Sequence, residues 1–255
     1  MTDADYTMAE LMVAAAAREI RDGEVVFVGM RLPLLAFLLA KSTHAPRALS
    51  IYENGIIRAT PSRDPVFTVS DPTNNLGAIQ TGSALDALGI LQRGRVDLGF
   101  IGGAEVDRYG NLNTSYIGGW KRPAVRLPGS GGGCDIASLA GRLLIIMAHE
   151  RRRFKARVDY VTSPGYGDGG DWRRRMGLPR GGPAAVITTL GVLRFDPEGG
   201  EMYLDACHPG VTPEQVQAAT AWPLRVSPQV GVTLPPTEPE LRIIRQYDPQ
   251  GFWTR

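Results

Sequence analysis

The sequence predicts an α/β protein with an open, mostly parallel sheet flanked by helices. Short apolar runs end in glycine turns and are followed by helical patterns, which is the alternation that parallel sheets require. The composition agrees, because 43% of the 255 residues are hydrophobic and 21% are charged. A chain of this length buries roughly 70–75% of the surface that its unfolded form exposes. Intrinsic disorder is therefore excluded.

The first half of the chain shows the alternation most clearly. Apolar residues recur at helical spacing over residues 7–21 and predict an opening helix. Further elements follow in order, namely a strand at 24–28, a helix at 33–41, a strand at 47–52, a helix at 84–93 and a strand at 96–101.

The second half predicts more strands than helices. We expect a strand at 143–149, a small-residue helix at 137–141, paired strands at 184–189 and 191–195, and a strand at 202–206. A helix at 212–220 has Thr212 as its N-cap and Pro213 at its first position. Residues 1–227 are predicted to form one domain. Several prolines after 227 predict that residues 228–255 are an extended arm on a surface.

Composition and charge exclude several classes of function. The formal net charge is only +2, so nucleic acid is not expected as a partner, and the basic runs at 151–157 and 172–175 are interpreted as exposed faces or subunit contacts. No apolar run is long enough to span a membrane, and no signal peptide precedes the first helix. Two cysteines suit a reducing cytoplasm. The three histidines are scattered, so we predict no metal.

Glu53 follows the strand at 47–52 and is the first candidate for chemistry. A carboxylate at the carboxyl end of a parallel strand lies where open α/β sheets place their sites. The alternative is an ordinary turn, in which Glu53 and Asn54 are turn formers and Gly55 supplies a positive φ. The strand and turn pattern alone favours the ordinary turn.

Asp107, Asn111 and Asn113 lie around Gly110 in a second candidate segment, residues 102–113. Such side chains hydrogen-bond to neighbouring backbone, and the glycine permits a left-handed turn. We therefore predict a braced loop rather than direct chemistry.

The third candidate is a glycine-rich loop that contains Gly129, Gly131, Gly132 and Gly133. Glycines before a helix let backbone N–H groups approach a phosphate or a developing oxyanion. The spacing fits neither the P-loop nor the dinucleotide fingerprint, and a flexible hinge is the alternative. Cys134 follows directly, and a small buried cysteine is favoured over a nucleophile.

Together these segments resemble the family I coenzyme A transferases, in particular β subunits of the glutaconate CoA-transferase type. The family pattern is a Ser-Glu-Asn-Gly motif followed by a Gly-Gly-Ala-Met-Asp-like loop, with a D-x-x-G-N-x-N stretch between them. Tyr52 replaces the Ser and Cys134 replaces the Met. The positions that keep the pattern are Glu53, Asn54, Gly55, Gly132 and Asp135. The likeness covers about residues 5–225.

The resemblance implies a CoA-transferase/sugar-phosphate-isomerase-like fold and a catalytic role for Glu53. This glutamate is expected to form a glutamyl-CoA thioester in a ping-pong mechanism. The resemblance further implies oxyanion stabilisation or CoA binding by Asn54, Gly55, Gly131, Gly132 and Gly133. It implies bracing of loops by Asp107, Asn111, Asn113 and Asp135.

Coenzyme A is implied as part of an acyl-CoA substrate, with no tightly bound cofactor and no metal. The family divides its active site between two similar halves. A separate α-type subunit is therefore expected, in an αβ hetero-oligomer or a multiple of it. The chain alone should be inactive.

Two alternatives stay open. Some relatives on this scaffold are hydrolases or decarboxylases of CoA thioesters, and these tend to have lost the nucleophilic glutamate. The fold family also includes sugar-phosphate isomerases and ligand-sensing regulators, so a non-catalytic binding subunit is the second alternative. Glu53 favours the transferase. The sequence does not identify the acyl group.

Overall fold

The computed structural model describes residues 5–62, 64–178 and 180–255. In these ranges the helices are α1 (Met8–Ala17), α2 (Leu32–Ser42), α3 (Pro72–Asn75), α4 (Ala84–Gln92), α5 (Gly133–Leu139), α6 (Trp172–Arg175), α7 (Pro213–Ala218) and α8 (Glu238–Tyr247). The first seven strands are β1 (Val25–Phe27), β2 (Leu49–Ile51), β3 (Ile57–Arg58), β4 (Leu98–Ile101), β5 (Glu105–Asp107), β6 (Leu112–Asn113) and β7 (Tyr116–Gly119). The others are β8 (Arg122–Arg126), β9 (Arg142–Met147), β10 (Phe154–Lys155), β11 (Pro183–Thr188), β12 (Gly191–Phe195), β13 (Met202–Cys207) and β14 (Arg225–Val232).

The chain forms two compact units. The first unit extends to Phe100 and includes Leu234–Arg255, and the second unit is Ile101–Thr233. The boundary that the sequence predicts between residues 227 and 228 matches neither limit.

The first unit has the predicted parallel arrangement. Its strands lie in the order β4, β1, β2 and β3. Strand β1 is parallel to both β2 and β4, with Phe27 opposite Ile51 on one side and Gly99 on the other. Strand β3 reverses direction and pairs antiparallel with β2. These pairings place the turn after β2 at the carboxyl end of the parallel strands, as the sequence predicts.

Helices α1 and α2 supply most of the first unit's buried helical surface. Every residue of α2 from Leu34 to Ala40 is buried, as is every residue of α1 from Glu10 to Ala17. Helices that are apolar on all sides belong in a core, and these two contact each other. The N-cap of α1 is Thr7, whose hydroxyl accepts from the Glu10 N–H at 3.2 Å.

The C-terminal segment returns to the first unit through α8. Arg245 on α8 donates from Nε to Oε1 of Glu10 on α1, at 2.8 Å. The prediction of an extended arm over 228–255 is wrong for residues 238–247, because Thr237 caps a regular helix there. The prolines at 235, 236 and 239 precede or begin this helix, where proline is tolerated.

The second unit contains a mixed sheet and two smaller ones. The mixed sheet has the order β14, β13, β12, β11 and β9, and the smaller sheets are β10, β5 and β6, and β7 with β8. The predicted pairing of β11 with β12 is confirmed, with Val186 opposite Leu193 in an antiparallel ladder. Strand β9 is parallel to β11. The α/β class is confirmed.

The predicted bounds of two helices in the second unit match the observed ones to different degrees. Helix α7 begins at Pro213 after the Thr212 cap, as predicted. Helix α5 starts at Gly133 and ends at Leu139, so the predicted helix at 137–141 begins four residues too late. In the described part of the chain, no helix has both the length and the apolar character that crossing a membrane requires.

Candidate active site

Glu53 lies at the tip of a tight turn directly after β2. The turn is closed by a hydrogen bond from Gly55 N–H to Tyr52 C=O at 2.9 Å, and Tyr52 N–H donates to Ile56 C=O at 2.9 Å. The Glu53 side chain is exposed. Among the described residues it forms no hydrogen bond and no ion pair. The first unit thus presents a free carboxylate on a fixed turn.

Asn54 and Gly55 fix the shape of this turn. The Asn54 amide donates to Val69 C=O at 2.7 Å, and its oxygen accepts from Ile56 N–H at 3.3 Å. Gly55 has a φ of +93°, and a Cβ there would lie 2.4 Å from the backbone nitrogen of Ser83. Only glycine fits this position. The structure therefore places the Asn54 amide against the backbone next to the turn.

Tyr52 and Arg58 are buried beneath the turn. Arg58 donates to the carbonyl oxygens of Asn74 and Leu76 at 2.5 and 2.8 Å, and the Asn74 amide donates in turn to Val69 C=O at 3.0 Å. Burial raises the pKa of the Tyr52 phenol, and the Arg58 charge partly opposes that rise. The tyrosine that stands at the family's serine position is therefore a neutral core residue at physiological pH.

Asp107, Asn111 and Asn113 lie together in the second unit around the β5–β6 turn. Asp107 accepts hydrogen bonds from the N–H groups of Tyr109 and Asn111, at 3.0 and 3.1 Å. Asn113 donates to Oε2 of Glu105 and to Tyr116 C=O, both at 2.7 Å. These polar side chains are buried and are used within the loop. They are positioned to hold backbone rather than to reach a substrate.

The glycine loop, residues 128–133, leads into α5. Gly129 N–H donates to Thr114 C=O at 2.7 Å, and Gly133 N–H donates to Ser130 C=O at 2.8 Å. In the described ranges the N–H groups of Gly131 and Gly132 make no such bond. Two adjacent donors are therefore open, whereas that of Gly133 is already used.

Cys134 and Asp135 follow the loop and differ from expectation. Cys134 is exposed, so the prediction of a buried cysteine is wrong. Its N–H donates to the Ser130 hydroxyl at 3.1 Å. Asp135 is exposed in the first turn of α5, and its carboxylate makes no hydrogen bond within the part of the chain that the structure describes. The predicted bracing role of Asp135 therefore lacks a contact.

A cavity of about 350 Å³ adjoins the glycine loop, and we call it the glycine-loop cavity. It lies wholly within the second unit. Its apolar wall is Ile101, Ala104, Leu127 and Pro128, and its polar lining includes Thr114, Ser130, Arg153 and Ser163. Gly133 also lines it, and a Cβ there would come within 3.0 Å of the Ser163 hydroxyl. The cavity thus combines apolar walls with one guanidinium and several hydroxyl groups.

The two basic runs are not uniformly exposed. Arg173 of the second run is buried, and its guanidinium donates to the carbonyl oxygens of Gly165 and Arg180, each at 2.9 Å. Its neighbours Arg174 and Arg175 are exposed and pair with Asp171. Arg173 therefore ties loops together, contrary to the interpretation of that run as a wholly exposed face. Arg153 of the first run lines the glycine-loop cavity.

The family model of coenzyme A transferases matches residues 9–219. The chain belongs to the coenzyme A transferase family. This CoA-transferase chain is 42% identical over 242 residues to the B subunit of 3-oxoadipate CoA-transferase from Pseudomonas knackmussii, covering 94% of this chain and 92% of that protein. It is 38% identical over 255 residues to the B subunit of glutaconate CoA-transferase from Acidaminococcus fermentans, covering 97% and 95%.

Solved structures agree with the sequence relatives. The crystal structure of glutaconate coenzyme A-transferase from Acidaminococcus fermentans matches with a TM-score of 0.92 at 34% identity, covering 98% of both chains. The decarboxylase AibA/AibB matches with a TM-score of 0.83 at 28% identity, covering 97% of both chains. The β-type CoA-transferase fold that the motifs imply is thus confirmed.

Sequence reasoning missed three polar residues of the glycine-loop cavity in this CoA-transferase chain, namely Thr114, Arg153 and Ser163. Ser163 gave no motif signal. Arg153 was visible only as one of several basic residues in the run at 151–157, and only the fold shows which of them lines the cavity. Its half-buried side chain, between the exposed Arg152 and the buried Phe154, distinguishes it from its neighbours.

Proposed function

We propose that this chain is the β subunit of a CoA-transferase that moves CoA between an acyl-CoA and a carboxylic acid through a glutamyl-CoA thioester on Glu53. The observation that carries the proposal is the free, exposed carboxylate of Glu53 on a turn held by Asn54 and Gly55. A nucleophile needs an accessible atom and a fixed position. Membership of the coenzyme A transferase family indicates the class of reaction, which is CoA transfer.

The first half-reaction transfers CoA to the enzyme. A carboxylate oxygen of Glu53 attacks the thioester carbonyl carbon, the carbon–sulfur bond breaks, and CoA leaves as a thiolate, which gives a mixed anhydride of the acyl group and Glu53. The thiolate then attacks the Glu53 carbonyl carbon and releases the first acid as a carboxylate. The second half-reaction runs these steps in reverse with the second acid. No water is consumed and no net proton is transferred.

A carboxylate suits this exchange because the two thioesters are nearly equal in energy, so the enzyme needs a covalent carrier rather than a strong base. Each tetrahedral intermediate bears an oxyanion. The open N–H groups of Gly131 and Gly132 are the donors we assign to it. One donor of this kind contributes about 3–4 kcal/mol of transition-state stabilisation in other acyl-transfer enzymes.

The proposed assembly contains an α-type subunit, and CoA takes part as substrate with no tightly bound cofactor. The two sequence relatives named above are B subunits, which supports a two-chain enzyme. Their names specify 3-oxoadipate and glutaconate, acids with two carboxyl groups. We extend this class of acid to the present chain.

Mass spectrometry of the complex with its α-type partner tests the proposal. After incubation with acetyl-CoA, the peptide that contains Glu53 should carry a CoA adduct, and Glu53→Gln should abolish both adduct and transfer. Glu198→Gln, at another exposed glutamate, is the matched control and should retain both. Turnover with an unmodified Glu53 would contradict the mechanism, and transfer by this chain alone would contradict the need for a partner.

Isotope label separates transfer from the weaker alternatives. Carbon label in the free acceptor acid that appears in that acid's own CoA thioester identifies a transferase. Loss of thioester to water identifies a hydrolase, and release of carbon dioxide identifies a decarboxylase such as the structurally similar AibA/AibB. Function that survives Glu53→Ala would favour a non-catalytic binding subunit.

A further inference from the structure

Strands β7 and β8 of the second unit form a hairpin, residues 116–126, which we call the hairpin arm. In the described part of the chain these two strands pair only with each other. Every residue from 117 to 126 is exposed or half-buried, so neither face of the hairpin is covered. A two-stranded hairpin that packs against nothing is marginally stable in water, because it buries no hydrophobic face. The arm therefore presents a surface that a partner can cover.

The base of the arm is anchored to the second unit. Tyr116 is only 9% exposed, and its C=O accepts from the Asn113 side-chain amide at 2.7 Å. Gly118 N–H donates to a carboxylate oxygen of Asp159, also at 2.7 Å. These contacts fix the direction of the arm before any partner binds, and such preorganisation lowers the entropic cost of association.

The arm exposes large apolar side chains that its own residues hold in place. Trp120 at the tip is 71% exposed, Val125 is 47% exposed, and Tyr160 beside the base is 44% exposed. The Tyr116 ring contacts the rings of Trp120 and Tyr160, with centroids 5.8 and 5.0 Å apart. Tryptophan and tyrosine are enriched among the residues that dominate the energy of protein interfaces. Trp120 is thus an anchor suited to a pocket on another protein.

The arm also carries three cations, Lys121, Arg122 and Arg126, and no carboxylate. Their side chains are exposed and form no ion pair or hydrogen bond within the ranges that the structure describes. Arg126 lies opposite Tyr116 and Arg122 lies opposite Gly119. Positions 116 and 119 are on opposite faces of the strand, and paired residues share a face. Positive charge on both faces fits an acidic groove around the arm better than a small anion on one side.

The second unit of another copy of this chain is poorly matched to the arm. Most of its carboxylates that are not buried already pair with arginines of the same unit, namely Glu150, Asp168, Asp171, Asp196, Glu201 and Asp205. Little free negative charge is left on that unit to receive three cations. The arm therefore fits a different chain with an acidic surface.

We propose that the hairpin arm inserts into an acidic groove of the α-type subunit and so joins the two chains. Trp120 fills an apolar pocket in the floor of the groove, and carboxylates on its two walls pair with the three cations. The inference rests on the proposed function, because that function requires an α-type subunit. Burial of the tryptophan supplies most of the affinity, whereas the charges set the orientation and the rate of association.

Photo-crosslinking of the complex identifies what the arm contacts. Trp120→p-benzoylphenylalanine should give, after irradiation, a covalent product of this chain with the α-type subunit, which mass spectrometry identifies. The same substitution at Met176, an exposed apolar residue elsewhere in the second unit, is the matched control and should give little product. A product of two copies of this chain, equal yields at positions 120 and 176, or no product at position 120 would overturn the inference.

Dilution of the complex, followed by sedimentation velocity, measures the contribution of the arm to affinity. Trp120→Ser should raise the Kd between the subunits about thirtyfold or more, as for an aromatic anchor, and Trp120→Phe should keep most of the affinity. Arg122→Glu should raise the Kd about tenfold or more, because it places like charges together. Met176→Ser should leave the Kd unchanged. A wild-type Kd in both Trp120→Ser and Arg122→Glu would contradict the proposal.

The adduct on Glu53 reports separately on the proposed function. At concentrations that keep the Trp120→Ser complex assembled, this adduct should form as in the wild type. A cross-link from position 120 to the α-type subunit without an adduct would reject the transferase mechanism and retain the docking arm. An adduct without a cross-link would retain the mechanism and reject the arm.

Discussion

The side-chain amide of Asn111 donates to both carboxylate oxygens of Asp107, at 3.1 and 3.0 Å. Its own oxygen accepts from the N–H groups of Gly165 and Gly167, at 2.9 and 3.1 Å. Burial raises the pKa of Asp107, and the hydrogen bonds from Asn111 oppose that rise. One side chain thus links the β5–β6 turn to a loop more than fifty residues later in the chain.

Asn111→Ala should lower the free energy of unfolding by about 2–4 kcal/mol, because it removes two side-chain hydrogen bonds to the buried Asp107 carboxylate and leaves the N–H groups of Gly165 and Gly167 without their acceptor. Urea denaturation followed by circular dichroism measures the change. Asn75→Ala, at an exposed asparagine, should change it by less than about 0.5 kcal/mol. Equal effects of the two substitutions would mean that the Asn111 bonds are not formed in solution.

Gly55→Ala should destabilise the first unit and reduce CoA transfer, because the added Cβ would collide with the backbone at Ser83 and move the turn that carries Glu53. Gly23 is the matched position, since its φ is +82° and a Cβ there would meet nothing within 4 Å. Gly23→Ala should cost about 1–2 kcal/mol from backbone strain alone and leave transfer intact. Gly55→Ala should cost about 3 kcal/mol or more.

The two glycine variants are compared by thermal unfolding and by the transfer rate of the complex. A Gly55→Ala protein with wild-type transfer would refute the view that this turn positions Glu53.

Arg245→Gln should lower the free energy of unfolding by about 2 kcal/mol, because it leaves the Glu10 carboxylate, only 3% exposed, without its cationic partner. The loss is moderate because the Arg245 side chain is itself half exposed. Arg242→Gln, at an exposed arginine of the same helix, should have little effect in the same denaturation assay. A similar loss in both variants would indicate a general charge effect.

Acid should weaken the second unit through His149. Burial lowers its pKa to about 3 from the ordinary 6.5, and its ring nitrogens lie 3.1 and 3.0 Å from the hydroxyls of Thr188 and Thr220. Below about pH 6.5 the His149 imidazole binds a proton in the unfolded chain but stays neutral in the folded protein. Stability is therefore complete above about pH 6.5 and falls by about 1.4 kcal/mol for each pH unit below it.

Denaturation between about pH 7.5 and about pH 5 measures this slope. His149→Asn should flatten it, and His44→Gln, at an exposed histidine, should not. Part of the slope should remain in His149→Asn, because burial also lowers the pKa of His208. An unchanged slope would show that His149 is not buried as described.

Local patterns predicted the parts of the fold that depend on neighbouring residues. The Thr212 cap with Pro213, and the hairpin of β11 and β12, follow from short-range rules and are observed. Helix α8 was missed although its signals are present, namely Thr237 as cap and apolar residues at Leu241 and Ile244. The nearby prolines suggested an extended chain instead.

The site was predictable only in part because it depends on distant contacts. The motif around Glu53 is contiguous, so its turn could be recognised from sequence. The environment of Arg153 depends on the pairing of β10 with β5, nearly fifty residues earlier. The burial of Ser163 depends on its backbone bonds to Leu112. No local pattern encodes such partners.

The first unit is discontinuous, and this affects the order in which it can form during synthesis. Glu10 is made early, whereas Arg245 is made only after the whole of Ile101–Thr233. Until Arg245 is made, the nascent α1 carries a carboxylate whose cationic partner does not yet exist, whereas the second unit has all of its own residues once Thr233 is made. The second unit can therefore fold first during synthesis, and the first unit is completed last.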